Sequence, residues 1–291
     1  MVRAVREVID RQRLHRLAGF LLAAASAMLV MALADSLGAK PFTTIVGTRI
    51  DALAVVGGIV FGLGTRLNGH CAIGTLAALT AGQLSRLASL TAMFCAAIVL
   101  GPSMSNAALM LPERPPVVSP LAGHALFALS VGSVLAVIAA TYLFRRLRLK
   151  RPHGGWSPLV AMTLIGAASG TLFALDQRWV YTSRIADIAY GEATFALSHI
   201  AGFLALITGM VVAAIRGGMF HLRLGRGCEW LAAAGGGLLM GLGATLVPGG
   251  NDTMLFTGIP LLLPNLLVAY LAFFATLYFG LWVGRAKSGL G

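Results

Sequence analysis

Charge is scarce in this chain, and negative charge is scarcest. Of 291 residues only 10 are Asp or Glu, against 22 Lys or Arg, and charged residues make up 11% of the total. A soluble domain carries about 25%. So little charge excludes an ordinary water-facing surface for a chain that is 58% hydrophobic. Cysteine is scarce too. Cys71, Cys95 and Cys228 are the only three, which excludes a disulfide framework. Also missing are a metal-ligand cluster, a dinucleotide fingerprint and a paired acid and base. His15, His124, His153, His199 and His221 are scattered. These absences argue against an enzyme and against a bound metal or cofactor.

What is present is long apolar runs. Leu17–Ala34, Leu126–Phe144 and Leu266–Val283 contain no Asp, Glu, Lys or Arg. About 20 apolar residues cross a hydrocarbon layer as a helix. Cutting at polar and Pro/Gly-rich breaks gives eight spans, near 17–34, 50–67, 86–103, 121–144, 157–176, 195–215, 229–247 and 264–284. Cys95, inside the third, reads as a small buried hydrophobe. Ala32-Leu33-Ala34 after the first run imitates a signal-peptide cleavage site. Because that run recurs later in the chain, it is read as a span.

The net charge of +12 is placed for a membrane, not for nucleic acid. Arg3, Arg6, Arg11, Arg13 and Arg16 precede the first span. Arg145, Arg146, Arg148, Lys150 and Arg151 follow the fourth. Arg216, Arg223 and Arg226 separate the sixth and seventh, and Arg285 and Lys287 follow the last. Basic residues beside spans favour the cytoplasmic side. The tail 1–16, the loop 145–155, the loop 216–228 and the tail 285–291 are therefore expected on the cytoplasmic side of the inner (cytoplasmic) membrane.

Two segments resemble each other. The glycines and leucines of Gly57-Gly58-x-x-x-Gly62-Leu63-Gly64 recur in Gly236-Gly237-x-x-x-Gly241-Leu242-Gly243, offset by 179. Ala18-Gly19-Phe20-Leu21 recurs as Ala201-Gly202-Phe203-Leu204, offset by 183. Residues 17–103 and 195–284 thus read as two copies, joined by a central pair of spans within 104–194. One copy begins at the first span and the other at the sixth, so the second is inverted. Inverted repeats are a recurrent transporter architecture, with the solute site where the copies meet.

Each glycine-rich span ends in a break followed by an apolar stretch too short to cross. The first break is Asn68-Gly69-His70-Cys71-Ala72-Ile73-Gly74-Thr75; the second is Pro248-Gly249-Gly250-Asn251-Asp252-Thr253. Each reads as a re-entrant half-helix, tolerated at membrane depth only when buried in protein or lining a wet cavity. Two helix N-termini pointing at a common centre would present free N–H groups and positive dipole ends to an anion. Cys71 stands at the start of the first, where the dipole lowers a thiol's pKa. The solute-binding candidates are Cys71, His70, Asn68, Arg66, Gly74, Gly249, Gly250 and Asn251. Asn68 and Asn251 are candidate caps, and Arg66 is a candidate attractor of the anion. The Gly-x-x-x-Gly pairs are read as helix packing.

On these residues the chain resembles the YeeE/YedE family of sulfur-transport domain proteins. The resemblance rests on Gly62–Gly74, on Gly241–Gly258, on Trp156-Ser157-Pro158 and on Trp179-Val180-Tyr181-Thr182-Ser183. It implies an all-α hourglass of inverted repeats passing thiosulfate or a related sulfur anion through its centre, with cysteines relaying the ion. It also implies, for some members, a small cytoplasmic sulfur-carrier partner. Cys71 matches the cysteine of the first loop. The second loop departs, because the cysteine position falls at Gly250, followed by Asn251-Asp252. Cys228 is a candidate cytoplasmic relay. Two alternatives stay open: a membrane thiol or sulfur-handling subunit carrying a persulfide on Cys71, and a structural membrane subunit that transports nothing.

Overall fold

The computed structural model describes all residues except 45, 49–51, 110–115, 148–155, 177–178, 181, 183–196, 248 and 288–291. Most of the basic loop 145–155 and most of the outer loop after the fifth expected span thus lie outside the described residues, as does Pro248. The described residues are mostly helical, with two three-residue strands, β1 (Val46–Thr48) and β2 (Pro116–Val118), paired antiparallel. The helices are α1 (Val2–Arg11), α2 (His15–Ser36), α3 (Pro41–Thr44), α4 (Ala52–Asn68), α5 (Ala72–Thr80), α6 (Arg86–Leu109), α7 (Ala125–Leu147), α8 (Pro158–Leu175), α9 (Leu197–Arg216), α10 (Gly227–Leu246), α11 (Asn251–Thr253) and α12 (Pro264–Lys287). A π-helical turn, Met254–Gly258, continues α11.

Five helical stretches among the described residues are long and apolar enough to cross a bilayer: His15–Ser36, Ala52–Thr80, Ala125–Arg145, Pro158–Leu175 and Pro264–Arg285. α10 and the segment Asn251–Gly258 are bent by 52° and make a sixth if taken as one broken span. The expected eight is not reached by length and composition. α4 and α5 count together, and the apolar parts found in α6 and α9 are the shorter Arg86–Val99 and Ile200–Arg216. The outer helices turn large apolar side chains outward, Leu126 being 82% and Val137 60% exposed on α7. On a water-soluble protein so much exposed apolar surface would be a liability; against lipid it is the favourable arrangement. The same reasoning corrects the reading of Cys95. It is exposed on α6, because hydrocarbon around the helix removes the need to bury an apolar residue in protein.

The centre is built on glycine. α4 lies against α10 so closely that a Cβ added at Gly64 would stand 2.7 Å from the Gly236 carbonyl oxygen, and one at Gly243 would stand 2.8 Å from the Gly57 carbonyl oxygen. On the other faces, Gly58 meets the Ala269 carbonyl and Gly62 meets Phe273 and Thr276 of α12, while Gly237 meets the Ser89 carbonyl and Gly241 meets Met93 and Ala96 of α6. Positions 179 apart thus exchange partners: what Gly58 and Gly62 do against α12, Gly237 and Gly241 do against α6. α2 packs beside this group and carries α7 and α8. There Gly166 and Gly170 of α8 meet the carbonyls of Ala23 and Ala27. α8 starts on Ser157, whose Oγ accepts the Val160 N–H at 3.3 Å, with Pro158 at the first helical position. Both are favoured there because the first-turn N–H groups lack helical partners.

Two buried clusters flank the seam. One joins Phe61, Cys71, Ala72, Leu76, Met93, Met240 and Phe273 to Met1, Val2, Ala4 and Val5 of the N-terminal segment. The other gathers Met28, Met31, Phe42, Leu121, Phe173, Met254 and Leu261.

Candidate functional site

α4 stops at Asn68. Gly69 then takes a left-handed φ of 76° and returns its N–H to the Thr65 carbonyl at 3.0 Å, a helix-ending conformation that glycine adopts without a Cβ clash. Two residues later Cys71 is the N-cap of α5, with extended backbone. Its carbonyl accepts the Thr75 N–H at 2.7 Å and the Thr75 hydroxyl at 3.0 Å. Cys71 is buried, 4% exposed.

Asn68 holds this turn in place. Its Nδ2 donates to the His70 carbonyl at 2.9 Å and to Thr75 Oγ1 at 2.7 Å. Arg86 closes the set from α6, donating from one guanidinium nitrogen to the Asn68 carbonyl at 2.6 Å and to Asn68 Oδ1 at 2.9 Å. Asn68 therefore braces the loop and does not cap α5 through its side-chain oxygen. His70 Nδ1 is buried without a hydrogen-bond partner among the described residues. Arg86 and Arg3 bring positive charge toward that imidazole.

The second loop arrives at the same place. Asn251 Oδ1 accepts the Ala72 N–H at 3.3 Å. Asn251 and Ala72 are themselves 179 residues apart, so the side chain opening one half-helix caps the other. Of the first α5 N–H groups, those of Ile73 and Gly74 have no partner among the described residues, as expected of a helix start. Gly74 faces the thiol: a Cβ there would lie 3.5 Å from Cys71 Sγ and 3.6 Å from His70 Cβ. Those are ordinary contacts, so Gly74→Ala is expected to leave uptake within twofold of wild type. Gly74→Leu must fill the space beside the sulfur and is expected to lower uptake at least tenfold, with both variants expressed at equal level as the check.

The start of the second half-helix is already occupied by a carboxylate of the chain. Asp252, 2% exposed, accepts from the Thr182 hydroxyl and from the backbone N–H groups of Asp252 and Thr253. Thr182 Oγ1 also lies 3.1 Å from Thr253 Oγ1. Helix-start N–H groups expected to face a solute thus face a carboxylate of the chain itself. Gly249, at φ 122°, has no room for a side chain, since a Cβ would meet Thr253 Oγ1 at 2.4 Å. At Gly250 a Cβ would meet Asp252 Oδ1 at 2.8 Å and Thr182 Cγ2 at 2.9 Å. Gly249 and Gly250 therefore let the chain pass under Thr182 and Thr253. Restoring a cysteine by Gly250→Cys is expected to lower the midpoint of thermal unfolding by several degrees, because overpacking costs about 1–3 kcal/mol.

Two candidates stand apart. Arg66 is exposed and lies along α12, where its Cδ would be 2.5 Å from a Cβ at Gly280. It lines an outward groove of ≈ 570 Å³ with Val55, Ile59, Leu63, Phe279 and Val283. Helix rotation thus sends Arg66 outward, and Arg86 is the arginine that reaches the Cys71 loop. Cys228 is exposed near the start of α10 and is not among the residues packed around Cys71.

Sequence reading also missed Thr182, Thr75 and α1. The last left a signal, the apolar residues Val2, Val5 and Ile9 at three- and four-residue spacing.

Membrane-length apolar helices around two short helices that meet end to end at a buried thiol define a multi-pass membrane protein with an internal polar site. The sequence model of the family described as Sulphur transport matches residues 1–283, and the chain belongs to that family, the YeeE/YedE sulfur-transport family. No curated protein matches the chain. The family and the helices together identify a sulfur transporter of the membrane.

Proposed function

We propose that the protein carries a small sulfur-containing anion of the thiosulfate type across the inner membrane, past Cys71. The hydrogen bond from Ala72 N–H to Asn251 carries this reading, because it brings the two loops face to face at the thiol. The exchange of glycine contacts between positions 179 apart supports an inverted repeat over 17–103 and 195–284. The arginine clusters support cytoplasmic N- and C-termini.

The chemistry needs no covalent step. The α5 N-terminus supplies its positive dipole end and the Ile73 and Gly74 N–H groups. The Cys71 thiol, soft and weakly donating, suits the terminal sulfur of the solute. The charge around His70 offsets the cost of bringing an anion out of water. Thr182 and local N–H groups hold the Asp252 carboxylate and offset part of its charge. A small cytoplasmic sulfur-carrier protein would be the acceptor.

Radiolabelled thiosulfate, sulfite and sulfate offered to proteoliposomes test the assignment. Thiosulfate should enter fastest. Equal entry into empty and protein-containing vesicles for all three removes it. Asn251→Leu unties the loops and is expected to lower thiosulfate uptake at least fivefold with the protein still monodisperse.

A further inference from the structure

The N-terminal segment occupies space beside the thiol. Val2, Ala4 and Val5 of α1 are 4%, 2% and 0% exposed and belong to the same cluster as Cys71, Ala72, Leu76 and Leu277. The Met1 amino nitrogen lies 3.4 Å from Cys71 Sγ, and the Tyr270 hydroxyl lies 4.0 Å from Met1 Sδ. The opposite face of α1 is polar, with Arg3 and Arg6 exposed.

The outer end of α1 is held differently, by polar contacts. Arg285 donates to the Ile9 carbonyl at 2.8 Å and stands 3.5 Å from Asp10. Glu7 stands 3.2 Å from His15 and 3.5 Å from Arg16 at the start of α2. A three-residue connector, 12–14, joins α1 to α2, and Gln12 turns it with a left-handed φ of 49°. α1 is thus a short amphipathic wedge, apolar where it meets the thiol and pinned by charged groups where it leaves.

We propose that α1 is a gate on the Cys71 site: in this structure it closes the approach from the α1 side, and solute passes only when α1 withdraws. The proposal rests on the transport reading above and adds to it the element that moves. Three observations point the same way. The buried side chains of α1 share one packed cluster with the thiol and with Ala72 and Leu76 of α5. The contact between α1 and the rest of the chain is small apolar residues and a few ion pairs, which part more readily than the glycine seam of the central helices. Met1 lies against Cys71 Sγ, the atom assigned to the solute, so solute and α1 compete for one place.

The test uses the full-length chain with Cys95→Ala and Cys228→Ala, leaving Cys71 as the single thiol. In nanodiscs, the rate of Cys71 modification by a small charged methanethiosulfonate is measured for the parent, for Arg285→Gln and for Val5→Asp. Arg285→Gln loosens the outer pin without touching the packed residues, so it covers the case in which Val5→Asp fails to fold. Both are expected to react at least tenfold faster than the parent. Separately, Asp10→Cys and Arg285→Cys are joined by a reductant-cleavable bis-maleimide. Thiosulfate uptake should fall at least tenfold and return on cleavage.

Modification rates that ignore Arg285→Gln, with uptake that ignores the tether, overturn the gate and leave transport standing. Faster modification in the released variants, with no form moving thiosulfate, supports the gate and overturns the transport reading instead.

Discussion

Replacing Cys71 with serine lowers thiosulfate uptake at least tenfold while leaving the fold as stable as before, or more so. The position is an N-cap with extended backbone, and serine is among the best residues there. The side chain is nearly isosteric and the site is buried, so little packing is lost. Any fall in transport must then come from the sulfur itself, through its softness or its weak S–H donation. The check is paired: initial rates of radiolabelled uptake, and thermal unfolding of the same preparations. Cys228→Ser, on an exposed residue away from the site, should leave both within twofold if Cys71 alone serves the solute. Unchanged uptake in Cys71→Ser would take the thiol out of the mechanism.

Gly237→Val is the substitution expected to do most damage to folding. A Cβ at Gly237 would stand 2.2 Å from the Ser89 carbonyl oxygen and 2.7 Å from Ser89 Cα. Both atoms are backbone, so no rotamer change relieves the clash and α10 must move off α6. Ordinary overpacking costs about 1–3 kcal/mol. A backbone clash in a two-sided seam belongs with the exceptional losses beyond about 4 kcal/mol. The expected result is little or no monodisperse protein from detergent extracts. Gly202→Val, on α9 with nothing within 4 Å of the added atom, provides the control and should extract like wild type. Equal yields of the two would mean that α10 and α6 do not pack as described.

Much of this was legible in the residues because membrane proteins write their environment into composition. The apolar runs, the breaks at Asn68-Gly69 and Gly249-Gly250, and the half-helix starting at Cys71 are local features. A glycine at positive φ or a short apolar stretch announces itself without tertiary information. Side-chain direction is not local. Arg66 and Arg86 flank the same loop, and the rotation of α4 against α12 decides that the first points outward while the second reaches Asn68. The partner of Asn251 was invisible for the same reason, since 179 residues separate it from Ala72. α1 escaped notice because a ten-residue helix rich in arginine reads as a tail until something apolar is found for Val2 and Val5 to meet. The number of crossings stayed open because hydropathy cannot tell a full crossing from two short pieces joined by a bend.

The glycine seam has one further consequence. Where main chain rests directly on main chain, there are no side-chain rotamers to rearrange and no gaps to absorb a shift. α4, α10, α6 and α12 therefore form a stiff keel. The gate proposed for α1, bolted to that keel by side chains alone, is accordingly a part able to move while the keel stays put.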